Sequence, residues 1–242
     1  MRVFCTLAYN GKEFFGSQIQ KETSQTVLGT FEGVLQKLGI TARVVASGRT
    51  DRGVHASAQV VHVDLPPYWD DISKLKRVLN TMLPTSIHVR KIERVPQSFH
   101  ARYDAKARVY RYLIKVGEPN PFEADFITFV STCNVEKLSH NIKLFEGQHD
   151  FSYFIKTGSD EKSPIREVYK AFVYQYKDII VLHFKANGFL RSQIRFMVAS
   201  LLHLDACEIQ EKLTCKHNHK IKPAPPNGLY LAKIHYKKDK NV

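Results

Sequence analysis

Residues 2–9 alternate between two faces in the manner of a strand, and the chain then turns around Asn10-Gly11. Val27, Leu28, Phe31, Val34, Leu35 and Leu38 fall on one face of a helix, with Gly39 as its stop. Residues 42–46 and 58–65 read as strands. In the second, Val60, His62 and Asp64 oppose Val61, Val63 and Leu65. A second helix is predicted from about Asp70, with Ile72, Leu75, Leu79 and Met82 at helical spacing. Asp70 and Asp71 sit in its first turn, where the helix dipole favours negative charge. Residues 86–95 alternate again.

The first hundred residues therefore run strand, helix, strand, strand, helix, strand, a ferredoxin-like split βαβ order. The second half repeats the plan with longer pieces: strand 106–116, helix 135–146, strands 166–176 and 179–186, helix 188–204 and a last strand 228–236. Arg2-Val3-Phe4 with Leu7 is echoed by Arg108-Val109-Tyr110 with Leu113. The pattern predicts an α+β protein of two related halves, 1–100 and 101–242.

Composition adds a partner class. The 242 residues hold 36 Lys+Arg against 23 Asp+Glu, a formal net charge of +13, and 43% of them are apolar. That is globular rather than disordered, and an excess this large creates basic faces suited to a polyanion such as nucleic acid. No apolar run approaches the roughly 18–20 residues that cross a bilayer. The N-terminus reads as carrying no export signal, so the four cysteines are expected reduced, in a cytoplasm. His203, Cys207, Cys215, His217 and His219 are potential zinc ligands, but their spacing matches no finger or ribbon. They read as solvated histidines and buried cysteines in a polar connector. From Glu211 onward eight lysines face two acids, a run read as phosphate contacts.

Candidate chemistry sits between two strands, in Ser47-Gly48-Arg49-Thr50-Asp51-Arg52-Gly53-Val54-His55-Ala56. Two glycines bracket the polar residues, so the backbone can turn tightly and push their side chains outward. A carboxylate between two arginines is favoured in its ionised form, and an arginine not engaged with it can reach a phosphate. The plainer reading is a turn with a surface ion pair.

GRTDRGVHA resembles the GRTDaGVHA signature of the tRNA pseudouridine synthase A family. Tyr9-Asn10-Gly11 with Phe15-Gly16-Ser17-Gln18 is similar to that family's YDG…F.GWQ, and Asn80 to Pro84 to its NxxLP. Phe99-His100-Ala101-Arg102 through Tyr112 resembles FHAR…K.Y.Y. Asp150 to Phe154, Arg166 to Val168, Phe189 to Val198 and Pro225 to Leu231 match later motifs in family order.

The resemblance implies two ferredoxin-like (RRM-like) halves, with mixed or antiparallel sheets meeting across a central basic cleft. It implies a homodimer that isomerises uridine to pseudouridine in the anticodon stem-loop of tRNA, at positions 38, 39 and 40 in tRNA numbering. No cofactor, metal or membrane is implied. Other RNA uridines as targets, or a silent RNA-binding module, are the competing readings. Asp51 takes the part of nucleophile or electrostatic partner of the glycosyl cation. Tyr110 stacks on the uracil, and Arg195 pairs with the carboxylate. Arg49, Arg52, Arg108 and Arg191 are expected to contact RNA, Arg191 from one turn before Arg195 on the same helical face. Ser17 replaces the family's usual Trp, and Gln193 and Ala199 depart from its pattern around Arg195. These changes are expected to affect packing, affinity and stability rather than the reacting atoms.

Overall fold

The computed structural model describes residues 1–156, 158 and 163–236. They form an α+β structure in two compact units: Met1–Lys106 with the chain from Leu231, and Ala107–Tyr230.

In the first unit, β1 (Arg2–Tyr9) pairs antiparallel with β3 (His55–Asp64) on one side and β4 (Ile87–Arg94) on the other. The short β2 (Val45–Ala46) adds to β3, and so does the end of β10 (Leu229–Tyr236). Val3, Cys5, Leu7 and Tyr9 alternate inward, and α1 (Val27–Lys37) and α2 (Ile72–Met82) contribute Phe31, Leu35, Leu75 and Leu79. All eight are nearly or fully buried, and each large apolar one favours the fold by about 1.5–3 kcal/mol. The 42–46 strand shrinks to two residues. Asp71 is the N-cap of α2, accepting the Lys74 N–H, so both aspartates precede the helix instead of occupying its first turn.

Arg2 closes the far end of β1. Its guanidinium meets Asp64 through two 2.8 Å hydrogen bonds and also donates to the carbonyls of Gln97 and Phe99. The Arg2 hydrogen bond holds the Asp64 carboxyl below its ordinary pKa. A depressed carboxyl contributes stability above its unfolded pKa of about 3.9 and loses it as pH falls through the folded value. Asp64 is 41% exposed in its side chain, so solvent screening limits the pair to about 1 kcal/mol. Asp64→Asn is expected to lower the unfolding free energy by about that much at pH 7. The gap should close below about pH 4, as read by denaturant unfolding across pH.

In the second unit, β5 (Ala105–Val116) pairs antiparallel with β9 (Ile179–Ala186), β9 with β8 (Ile165–Tyr176), and β8 with β7 (Gly147–Asp150). β6 (Thr128–Val130) joins β5 in parallel, which makes the sheet mixed. Phe145, Phe151 and Phe154 meet edge to face at 5.6 and 5.7 Å in the core. α3 (Val135–Asn141) gives way to a 3-10 turn over Ile142–Phe145, so the predicted helix 135–146 is α-helical for only its first seven residues.

The predicted helix 188–204 is α4 (Gln193–His203). Residues 188–190 before it belong to no helix or strand, and the chain turns at Arg191-Ser192, with Ser192 left-handed at φ 60. Arg191 therefore lies in the turn before the helix and not on its face. Residues 206–213, read as connector, form α5 (Ala206–Leu213) behind a capping box in which Asp205 and Glu208 bond each other's backbone N–H. Among the described residues no helix is long and apolar enough to cross a membrane.

Candidate active site

The loop between β2 and β3 presents Arg49, Asp51 and Arg52, with Arg49 and Arg52 exposed and Asp51 half-buried. Its position comes from the buried residues beneath. Tyr9 and Thr50 join hydroxyls at 2.8 Å, and burial pushes the Tyr9 phenol up to about 12, so it stays a neutral hydrogen-bonding group. Gln59 spans the loop entrance: it donates to Gly48 O and accepts from the Ser47 hydroxyl at 2.7 Å. Gly11 N–H donates to His55 Nδ1 and Gly11 O accepts the Gly53 N–H. Of the two bracketing glycines, Gly53 uses the left-handed region, at φ 79.

Ser17 belongs to this frame. It is 2% exposed, its hydroxyl accepts the Thr50 N–H at 2.8 Å, and its own N–H donates to Thr50 O. The departure expected to remove an aromatic contact instead supplies a hydrogen bond one residue before Asp51. Arg52 lies with its guanidinium 4.4 Å from the centre of the Phe15 ring, a cation–π contact that orders an exposed side chain.

In the second unit, Tyr110 and Tyr112 point to the same face of β5. Tyr110 is 9% exposed and meets the Phe189 ring edge-on at 5.3 Å. Tyr112 is fully buried. Its hydroxyl shares a 2.7 Å hydrogen bond with Thr128 and donates to Pro225 O. Burial raises its pKa, against the opposing effects of the Thr128 bond and the Arg195 charge. Arg195 donates from Nε to Ala224 O at 2.7 Å, and its carbonyl accepts the Ala224 N–H. The Ala224-Pro225 segment thus ties Arg195 to the Tyr112 hydroxyl. Gln193, fully buried, accepts the Leu190 N–H through its side chain and donates its own N–H to Leu190 O, which fixes the turn leading into α4. Arg108 donates to Asn187 O, and exposed Arg191 accepts the Lys156 N–H through its carbonyl.

Sequence reasoning gave roles to Asp51, Tyr110 and Arg195 but none to Tyr9, His55, Gln59 and Tyr112, whose hydrogen bonds hold the neighbouring backbone. It also read Lys212 as a phosphate contact, and the structure places it inside. Lys212 is 1% exposed, and its ammonium donates to Tyr153 O, Asn218 Oδ1 and His219 O at 3.0–3.2 Å. A buried ammonium requires such partners. Lys216, Lys220, Lys222 and Lys233 are exposed, while Lys237, Lys238 and Lys240 lie outside the described residues.

In the histidine and cysteine segment, His219 sits against Glu211 at 2.6 Å and Glu208 at 3.6 Å. Cys207 is exposed and Cys215 half-buried, contrary to the expected burial. Among the described residues no three His, Cys, Asp or Glu side chains are grouped to hold a metal ion. Arg111, Lys170 and Lys185 lie around His183 on the second unit's sheet. There, burial and the charges of Arg111, Lys170 and Lys185 push His183 down to about 4, so His183 remains neutral among cations.

The first unit thus carries a carboxylate loop over a buried hydrogen-bonded frame, and the second carries Arg195, Tyr110 and Tyr112 on its own elements. The sequence model of the tRNA pseudouridine synthase family matches residues 6–104 and 142–237, and the chain belongs to this family. A tRNA pseudouridine synthase A of Campylobacter jejuni (strain RM1221) is 37% identical over 241 residues, covering 98% of this chain and 100% of its own. The enzyme of the same name from Wolinella succinogenes is 39% identical over 95% of this chain and 92% of its own. That of Geobacillus sp. (strain WCH70) is 36% identical over 97% and 98%.

Proposed function

We propose that the chain isomerises uridine to pseudouridine in tRNA, in the anticodon stem-loop, as a cytoplasmic homodimer. The observation that carries this reading is the Arg49-Thr50-Asp51 loop, set on buried supports within a chain that matches named tRNA pseudouridine synthases almost end to end. In this reading the two units are ferredoxin-like halves sharing a basic cleft. The strand order β4-β1-β3 with β2 beside β3 supports it for the first unit, and the cationic residues around His183 support an RNA track on the second.

The reaction needs no outside oxidant, reductant or cofactor. The uracil N1–C1′ bond breaks, the base turns, and C5 bonds to C1′. The C5 proton then leaves, and N1 gains a proton. Asp51 supplies negative charge beside C1′, where positive charge develops. Tyr110 is assigned to stack on the detached base, a contact worth about 1–3 kcal/mol, with its hydroxyl near C5. Arg195, braced on Ala224, orients the carboxylate. Arg49, Arg52, Arg108 and Arg191 contact the phosphates.

Incubation with unmodified tRNA transcripts, followed by nucleotide-resolution mapping of pseudouridine, tests the reading. Modification confined to the anticodon stem-loop is expected. Modification elsewhere would retain the enzyme and overturn its target, and transcripts left intact would overturn both.

A further inference from the structure

The Phe-His-Ala-Arg motif has no part in the chemistry above, yet the structure builds it with care. Residues 99–104 form a turn between β4 and β5 whose polar groups are used internally. His100 N–H donates to Asp104 Oδ2 at 2.7 Å, and Asp104 N–H donates back to His100 O. The N–H groups of Arg102 and Tyr103 both point at His100 Nδ1, at 3.2 and 3.3 Å. Ala101 is fully buried; its N–H donates to His62 Nδ1, and its carbonyl accepts the Tyr236 hydroxyl at 2.8 Å. Arg2 anchors the start of the turn through Gln97 O and Phe99 O. Burial, then the nearby Arg2 charge, lowers the His62 pKa, which keeps Nδ1 available as an acceptor.

This bracing displays Arg102 and Tyr103 outward. Tyr103 is 73% exposed, although burying such a ring would favour the fold by about 1.5–3 kcal/mol. It is not loose. Its ring stacks on His100 with centroids 4.3 Å apart and 30° between planes. His100 in turn meets His62 edge-on at 5.0 Å, and His62 meets Phe99 at 6.2 Å. The Arg102 guanidinium lies 5.9 Å from the Tyr103 centroid, and Lys106 is exposed two residues beyond the turn. A rigid aromatic, backed on one face and bordered by cations, suits a base with its phosphates: stacking needs no base identity, and pre-ordering lowers the entropy lost on binding.

We propose that Tyr103, backed by His100 and flanked by Arg102, is a stacking platform for an unpaired base of the RNA substrate, separate from the loop that carries Asp51. The inference rests on tRNA being the substrate. It makes Tyr103 a binding residue and leaves the isomerisation step to other groups.

The test compares Tyr103→Ala, Tyr103→Phe and Arg102→Gln for tRNA Kd at fixed salt, for kcat and KM, and for the salt dependence of Kd. Tyr103→Ala is expected to raise Kd and KM about 10-fold with kcat within about two-fold, and Tyr103→Phe to restore affinity, because only the ring face is needed. Arg102→Gln is expected to flatten the dependence of log Kd on log salt. A Tyr103→Ala chain binding tRNA within about two-fold of the parent would overturn the platform while leaving the synthase reading intact. So would loss of self-association in Tyr103→Ala with tRNA affinity unchanged, since the surface would then serve a protein partner. If the parent makes no pseudouridine but Tyr103→Ala still loses tRNA affinity, the platform stands and the synthase reading falls.

Discussion

Asp51→Asn is expected to lower the rate of pseudouridine formation by about 10³-fold or more, with tRNA affinity and the unfolding midpoint near those of the parent chain. The substitution keeps the size and hydrogen-bonding shape of the side chain and removes its charge. The loop also has supports that do not involve this carboxylate. It is fixed by the Tyr9–Thr50 hydroxyl pair, by Ser17 against both Thr50 backbone groups, and by Gln59 against Gly48 and Ser47. On the proposed role of Asp51, loss of its negative charge falls on the step in which C1′ becomes positive, where a fixed carboxylate is most effective. The measurement is single-turnover pseudouridine formation alongside tRNA binding and thermal unfolding. A variant retaining more than about a tenth of the parental rate would leave Asp51 with under about 1.4 kcal/mol of barrier to account for, too little for the group at the reacting carbon. A variant that fails to bind tRNA would move Asp51 from chemistry to recognition.

What could be read from the sequence follows from how each element is stabilised. β1 was legible because strict alternation over eight residues admits one reading. α5 was hidden because it has few apolar residues, with Ile209 and Leu213 buried on its inner face; its signal was the Asp205-x-x-Glu208 capping box, which a reading based on hydrophobic period passes over. The start of α4 was misplaced because Phe189 and Leu190 continue its apolar stripe backwards, while left-handed Ser192 keeps the chain out of the helix until Gln193. The loop around Asp51 stood out through its own residues. Its supports did not, since Tyr9 and Ser17 come from the N-terminal strand and the turn after it and meet Thr50 only through tertiary hydrogen bonds. Lys212 is the extreme case. A lysine among lysines reads as solvated, and only the folded path of Asn218 and His219 around it creates a buried ammonium site.

Gly11→Ala is expected to cost about 3 kcal/mol of stability and about 100-fold in kcat/KM, although Gly11 reacts with nothing. The sequence marks Asn10-Gly11 as a turn, and the structure gives a stronger reason for glycine. A Cβ at Gly11 would stand 2.0 Å from Val54 O, 2.4 Å from Val54 C and 2.9 Å from Val54 N. Those are backbone atoms of the residue that follows Gly53 and donates its N–H to Asp51 O, so no side-chain rotation relieves the clash. The loop would have to move away from β1. Doing so would stretch the bonds of Gly11 to His55 Nδ1 and to the Gly53 N–H, two of the contacts that set where Asp51 points. A shift of about 1 Å in a catalytic group is enough to cost two orders of magnitude. Gly33→Ala is the matched control: it lies inside α1 with nothing within 4 Å of the added Cβ, and should stabilise the chain by about 0.5–1 kcal/mol through helix propensity without changing turnover. Denaturant unfolding and steady-state kinetics on both variants separate a general intolerance of added methyl groups from this specific close approach. Equal behaviour of the two would show that the Gly11–Val54 contact does not position Asp51.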